Sequence, residues 1–397
     1  MKIDSLSSYI KYIENKDYAK NNEYISSGHI FRGEACCFDK RVASAFRESE
    51  RSINSNSENF FHNFSKKIEL YYEKISHTLN DVEKQHFTAF SQHYGLYTNL
   101  LDVTSSPFIA LFFACYEKEK RGRVYVFNNE YIDVTEVLQE FSSQGIIEQN
   151  ILGKLRTGNI NDYNVKIYDK FYTAIDRYTE KYLNKVEYKQ ENDMLRKIPK
   201  PSDTALGLVC IMYKYIKWLL ENDTEKETNF LNYDELKNLD KYKQIEEIKK
   251  LHLELVNYPE IIKYLDIKPK KSMNEWTFII IDFLNYILIR MPFILTFSNK
   301  EINFLPNIIY KPITTFTRAR MQSGYFIYQP YIDCGDKNGL APLQLNPPID
   351  EIPIENTEEI LKQLDYIGIN LATIYGDYDN IAKYIKNKKY ESEKQNK

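Results

Sequence analysis

The sequence predicts an α+β fold, a small mixed sheet whose chain is split by a large all-helical insertion. Three observations predict it. Short apolar runs of strand length cluster in residues 1–130 and 291–390. Between them, residues 131–290 are almost wholly helical in period, rich in Lys, Glu and Tyr and poor in glycine. One segment, Phe108 to Cys115, is apolar all round, as in a helix sealed inside a core. The two ends are therefore read as one discontinuous core and residues 131–290 as an insertion into it.

Composition narrows the class. A chain of 397 residues, 43% hydrophobic, is long enough for two domains or for one domain with an insertion. A net charge of -3 gives no global basic field for nucleic acid or an anionic membrane, and leaves only a local groove open. The five cysteines, Cys36, Cys37, Cys115, Cys210 and Cys334, form no CxxC pair and leave one over. Reduced thiols in a cytoplasmic protein are the expectation. The N-terminus has no apolar signal core. The most hydrophobic stretch, Trp276 to Phe297, is interrupted by Asp282, Asn285, Arg290 and Pro292. It reads as a buried helix followed by a strand, not as a membrane span.

Taken in order, residues 5–20 are an amphipathic helix with Leu6, Tyr9, Ile10 and Ile13 on one face. His29 to Glu34 is a short strand and turn, Asp39 to Glu50 a short helix and Ser57 to Asn80 a longer one. The stretch Ser91 to Asn128 organises the core: a polar loop, the buried helix and a strand over Arg123 to Phe127. Ser105 or Ser106 is placed to cap that helix, Pro107 suits its first turn, and Gly122 can end it. Strands return at Phe293 to Phe297, Ile308 to Tyr310, Tyr325 to Tyr328 and Ile352 to Ile354. Helices are expected at Thr357 to Leu364 and Asn380 to Lys386.

The loop before the buried helix is the first candidate site. Gln92, His93, Thr98, Asp102 and Thr104 crowd it, and a surface loop rarely needs so many donors and acceptors. Asp102 lies between apolar Leu101 and Val103, so it is expected to be at least partly buried and to need a cation or several donors. Arg32 is the obvious cation, which gives Asp102 a structural role behind the site. His93 stands before Gly95, either as an acid/base or ribose contact or as a helix-terminal residue that satisfies carbonyls. Thr98 either bonds a ligand or closes a capping loop, and Thr104 is read as structural. The six histidines show no metal-ligand spacing, and no GxxxxGK[ST], GxGxxG or GxSxG element occurs, so no metal site is expected.

Phe31-Arg32-Gly33, together with Gln92, His93, Tyr94, Gly95, Leu96, Thr98, Leu100, Leu101, Asp102 and Thr104, resembles the FRG domain, named after its Phe-Arg-Gly motif. Asn99 departs from it, where the family often has Arg. Arg318 to Phe326, holding Gln322 and Gly324, resembles a later element of the family, and residues 360–385 its closing helices. The likeness covers roughly residues 25–128 and 290–386.

The arginine-bearing strand is also similar to that of Arg-Ser-Glu type ADP-ribosyltransferases. That resemblance implies a nucleotide-handling pocket in which Arg32 grips the phosphates of NAD in a bidentate way and Gly33 admits close backbone approach. Gln92 and Thr98 would contact the ligand, His93 and Gln322 would act in catalysis, and Arg318 would support them. Gln322 stands where such a transferase usually has Glu, and an amide cannot supply the negative charge. Either another carboxylate serves, or the pocket does no chemistry. The implied partners are a small-molecule nucleotide and a protein or nucleic-acid acceptor, with no membrane. The alternative is a non-catalytic binding module of a bacterial anti-phage or stress system.

Overall fold

The computed structural model describes residues 3–16, 18, 28–36, 41–47, 63–116, 122–147, 150–151, 162–182, 306–313, 320–333, 340–343 and 345–388, with single positions at 243, 250, 277, 280, 281 and 284. Helix α1 (Leu6–Asn15) opens on a capping box at Ser5 and buries Tyr9 and Ile13. Strand β1 (Ile30–Glu34) carries the Phe-Arg-Gly triplet. Helices α2 (Asn63–Ile75), α3 (Asp81–Gln85) and α4 (Phe87–His93) follow, then strand β2 (Leu100–Thr104). The apolar helix α5 (Pro107–Cys115) leads into β3 (Arg123–Phe127) and β4 (Tyr131–Asp133). Helices α6 (Thr135–Ser143) and α7 (Asp162–Tyr182) come next. The later strands are β5 (Asn307–Tyr310), β6 (Gly324–Tyr328), β7 (Tyr331–Asp333), β8 (Leu340–Pro342) and β9 (Asp350–Pro353). Helices α8 (Thr357–Tyr366), α9 (Leu371–Tyr375) and α10 (Tyr378–Asn387) close the described chain.

Seven strands form one mixed sheet in the order β4-β5-β6-β2-β1-β3-β9, while β7 and β8 pair separately. Every pairing in the large sheet is antiparallel except β4 with β5. The sheet is apolar on both faces. On one, Phe31, Val124, Val126 and Ile352 pack with α5, α1 and the C-terminal helices. On the other lie Ile30, Leu101, Val103, Tyr125, Phe127, Ile309 and Ile327. Ser106 caps α5 by accepting from Ile109 N at 3.4 Å, and Pro107 fills its first turn. At Gly33 an added Cβ would stand 1.8 Å from the Ala110 carbonyl oxygen, so only glycine lets α5 lie this close to β1.

The structure adjusts several expectations. Leu100 to Thr104 is a central strand, not loop, because Leu101 and Val103 bury on alternation against β6. Helix α5 stops at Cys115, well short of Gly122. Residues 131–133 belong to the sheet, so the core runs past residue 130. Beyond them α6, α7 and the isolated positions are helical, while most of 183–290, the strand expected at 293–297, and Cys37, Cys210 and Cys334 lie outside the described residues. No described helix is long and apolar enough to cross a membrane.

Candidate functional site

Strand alternation sets the first side chain. Phe31 and Gly33 face α5, which turns Arg32 and Glu34 to the opposite face. Arg32 Nε donates to Glu34 Oε1 at 2.6 Å, and its Nη1 donates to the carbonyl oxygen of Asp102 at 2.6 Å. Both side chains are largely buried, with exposures of 13% for Arg32 and 3% for Glu34. The second bond spans a seam where backbone pairing is sparse, for β1 meets β2 in register only at Phe31 opposite Thr104. Arg32 thus closes with its side chain what the ladder leaves open.

Helix α4 brings the next pair. It ends at His93, and Gly95 with φ 92° turns the chain so that Leu96 N donates to Ser91 O at 3.0 Å. The helix-terminal placement expected of His93 is therefore present, and its ring also stands edge-on to Tyr94 with centroids 5.0 Å apart. Gln92 reaches back to β2, where its Nε2 donates to Asp102 Oδ1 at 2.9 Å. Its Oε1 accepts from the Thr98 hydroxyl. Thr98 is fully buried, and its Oγ1 also accepts from Leu100 N at 3.2 Å.

The third contribution is the turn before β6. Thr104 Oγ1 donates to the Gln322 carbonyl at 2.8 Å, and Ser105 N donates to the Ser323 carbonyl at 3.2 Å. Ser323 is left-handed, with φ 44°. Gln322 Nε2 is buried without a hydrogen-bond partner among the described residues.

Arg32, Gln92, His93, Asp102, Gln322 and Tyr325 line one cavity of about 300 Å³, with Gly33 and Thr104 at its wall. Side chains far apart in sequence are thus brought to one place. Thr98 is not among them; it holds Gln92 from behind. Arg318 lies outside the described residues. Asp102 corrects its expectation, since alternation on β2 exposes its carboxylate instead of burying it. The carboxylate that pairs with Arg32 is Glu34. That partner was overlooked in the sequence, although an i, i+2 spacing on one strand carries the signal. Asn99, where the family often has Arg, is buried and donates from Nδ2 to the Gln329 carbonyl at 3.1 Å.

Nearby groups are structural. His86 is fully buried, its Nδ1 2.7 Å from the Tyr310 hydroxyl, and its Nε2 accepts from Ile313 N at 3.2 Å. Burial lowers its pKa to about 4, so the ring is neutral and pins the segment that carries Pro312 to the cavity. Cys115 is buried and its thiol is pushed up to about 12 by that burial, which rules it out as a nucleophile at neutral pH. No group of three or more His, Cys, Asp or Glu able to hold a metal occurs among the described residues.

The fold and the cavity define a mixed-sheet α+β protein with a small-ligand-sized concavity at a split seam. Residues 27–123 match the family model of the FRG domain, so an FRG domain is present in this chain. The match takes in Arg32, Gly33, Gln92, His93, Thr98, Asp102 and Thr104, and stops before Gln322. No curated protein and no solved structure matches the chain.

Proposed function

We propose that this cavity binds a nucleotide, and that in its sharpest form the protein transfers ADP-ribose from NAD to a protein or nucleic-acid acceptor. The observation that carries the reading is the convergence of Arg32, His93 and Gln322, from three separate elements, on one cavity. Arg32 is held as a preformed fork by Glu34 and the Asp102 carbonyl, and no described group occupies its Nη2. That nitrogen is the donor for a phosphate oxygen. Phe113, Tyr325 and Phe326 among the lining residues supply aromatic surface for a flat ring. At about 300 Å³ the cavity is at the small end of ligand sites, so part of a dinucleotide would lie across its mouth.

Two observations favour the second reading, a binding module that does no chemistry. Gln322 supplies no negative charge, and Arg32 is already neutralised by Glu34. A thermal-shift series with NAD, ADP-ribose, ADP and inorganic pyrophosphate tests binding, since a ligand at one hundred times its Kd adds about 2.7 kcal/mol. A rise in melting temperature with NAD and ADP-ribose is expected, and no shift with any nucleotide would end the reading. Nicotinamide release then separates the two versions. The transferase releases it, and faster in Gln322→Glu, whereas the binding module releases none with either residue.

A further inference from the structure

We propose that Asp102 reads a ribose hydroxyl, supplying the negative charge that Gln322 cannot. The inference rests on the nucleotide reading above and adds to it the residue that selects the sugar. Aspartate is disfavoured inside strands, yet this one sits in the middle of β2 between buried Leu101 and Val103. It is gripped at both ends. Arg32 holds its carbonyl at 2.6 Å, and Gln92 holds its Oδ1 at 2.9 Å. Gln92 is fixed in turn by the hydroxyl of fully buried Thr98. An exposed carboxylate needs no such scaffold for stability. A carboxylate that must present its other oxygen in one direction does.

What it faces identifies the ligand group. Asp102 and Gln322 line the same cavity, and no described group bonds Asp102 Oδ2, while Gln322 Nε2 is a buried donor without a partner. An exposed acceptor in this cavity fits a hydroxyl, which donates to the carboxylate. A phosphate fits neither the charge of Asp102 nor its lack of a donor. The arrangement therefore divides the cavity, with phosphate at Arg32 and a ribose hydroxyl at Asp102.

The test is the affinity of NAD and of NAD analogues each lacking one ribose hydroxyl, measured by calorimetry on the wild type and on Asp102→Asn. Asparagine keeps an oxygen for Gln92 and removes the charge, and circular dichroism melting checks that the variant folds. One analogue is expected to bind the wild type about tenfold or more weaker than NAD, the effect of losing a charge-assisted hydrogen bond. In Asp102→Asn that preference should shrink to near unity. If NAD binds but the preference is the same in both proteins, Asp102 does not read the sugar and the nucleotide reading survives. If NAD does not bind the wild type, the nucleotide reading falls and this inference with it.

Discussion

Strand β1 meets β3 at five consecutive positions, from Ile30 opposite Phe127 to Glu34 opposite Arg123, and meets β2 at one. Strand β2 in turn pairs with β6 at five positions. The sheet is thus two well-paired halves joined by a thin seam, and the cavity lies at the seam. On the β3 side the backbone supplies the cohesion and side chains are left to fill the core. On the β2 side, side chains take over, and a guanidinium does what a ladder bond would do. Where pairing is relaxed the chain has room for a ligand, and it also depends on single residues there.

The sharpest way to break this contrast is Arg32→Met. It removes the hydrogen bond across the seam to the Asp102 carbonyl, and with the bond along β1 to Glu34 gone it leaves that carboxylate buried and uncompensated. Breaking a buried pair in this way typically costs about 3–5 kcal/mol, so urea denaturation should show a loss of that order. A loss no larger than that of a surface substitution would mean the seam does not need the arginine. Gly33→Ala attacks the other face of the same strand. Its methyl must displace the α5 backbone at Ala110, and overpacking of this kind costs about 1–3 kcal/mol, read by the same denaturation.

The histidines sharpen the comparison with a smaller effect. His86 is sealed among hydrogen-bonding partners with a pKa lowered to about 4 by burial, while His93 lines the cavity. Unfolded His86 takes up a proton below its ordinary value near 6.5, and the folded ring does not until about 4. Its contribution is therefore intact above pH 6.5 and falls as the pH drops from 6.5 towards 4, by at most about 1.4 kcal/mol per pH unit. The melting temperature of His86→Gln should vary less with pH across that window than that of the wild type.

Much of the core was legible because burial leaves a period in the sequence. The all-apolar run of α5, the short apolar runs of β3 and β6 and the Pro107 start are all local signals. Strand β2 was harder. Its apolar pair Leu101 and Val103 brackets an aspartate, and the polar residues around it imitate a loop. The gathering of Arg32, Gln92, His93 and Gln322 could be expected only from family resemblance, since no local pattern reports that distant residues share a cavity. Of the partners inside the site, Glu34 carried a local signal in its i, i+2 spacing from Arg32, and the cross-strand ones did not. That Arg32 reaches the carbonyl of Asp102 and not its carboxylate depends on the sparse β1–β2 register, a property of two strands together.

Ser323 has a consequence of its own. A left-handed non-glycine residue costs roughly 1–2 kcal/mol, and the hydrogen bonds from Thr104 and Ser105 that tie this turn to β2 each contribute about 0.5–1.5. The two terms are of similar size, so these bonds offset the cost of the left-handed residue. Expressed as populations, a loss of about 1.4 kcal/mol changes the ratio of tied to released molecules tenfold. Removing the Thr104 hydroxyl should therefore shift the turn towards release by up to about that factor, with the Ser105 bond still in place.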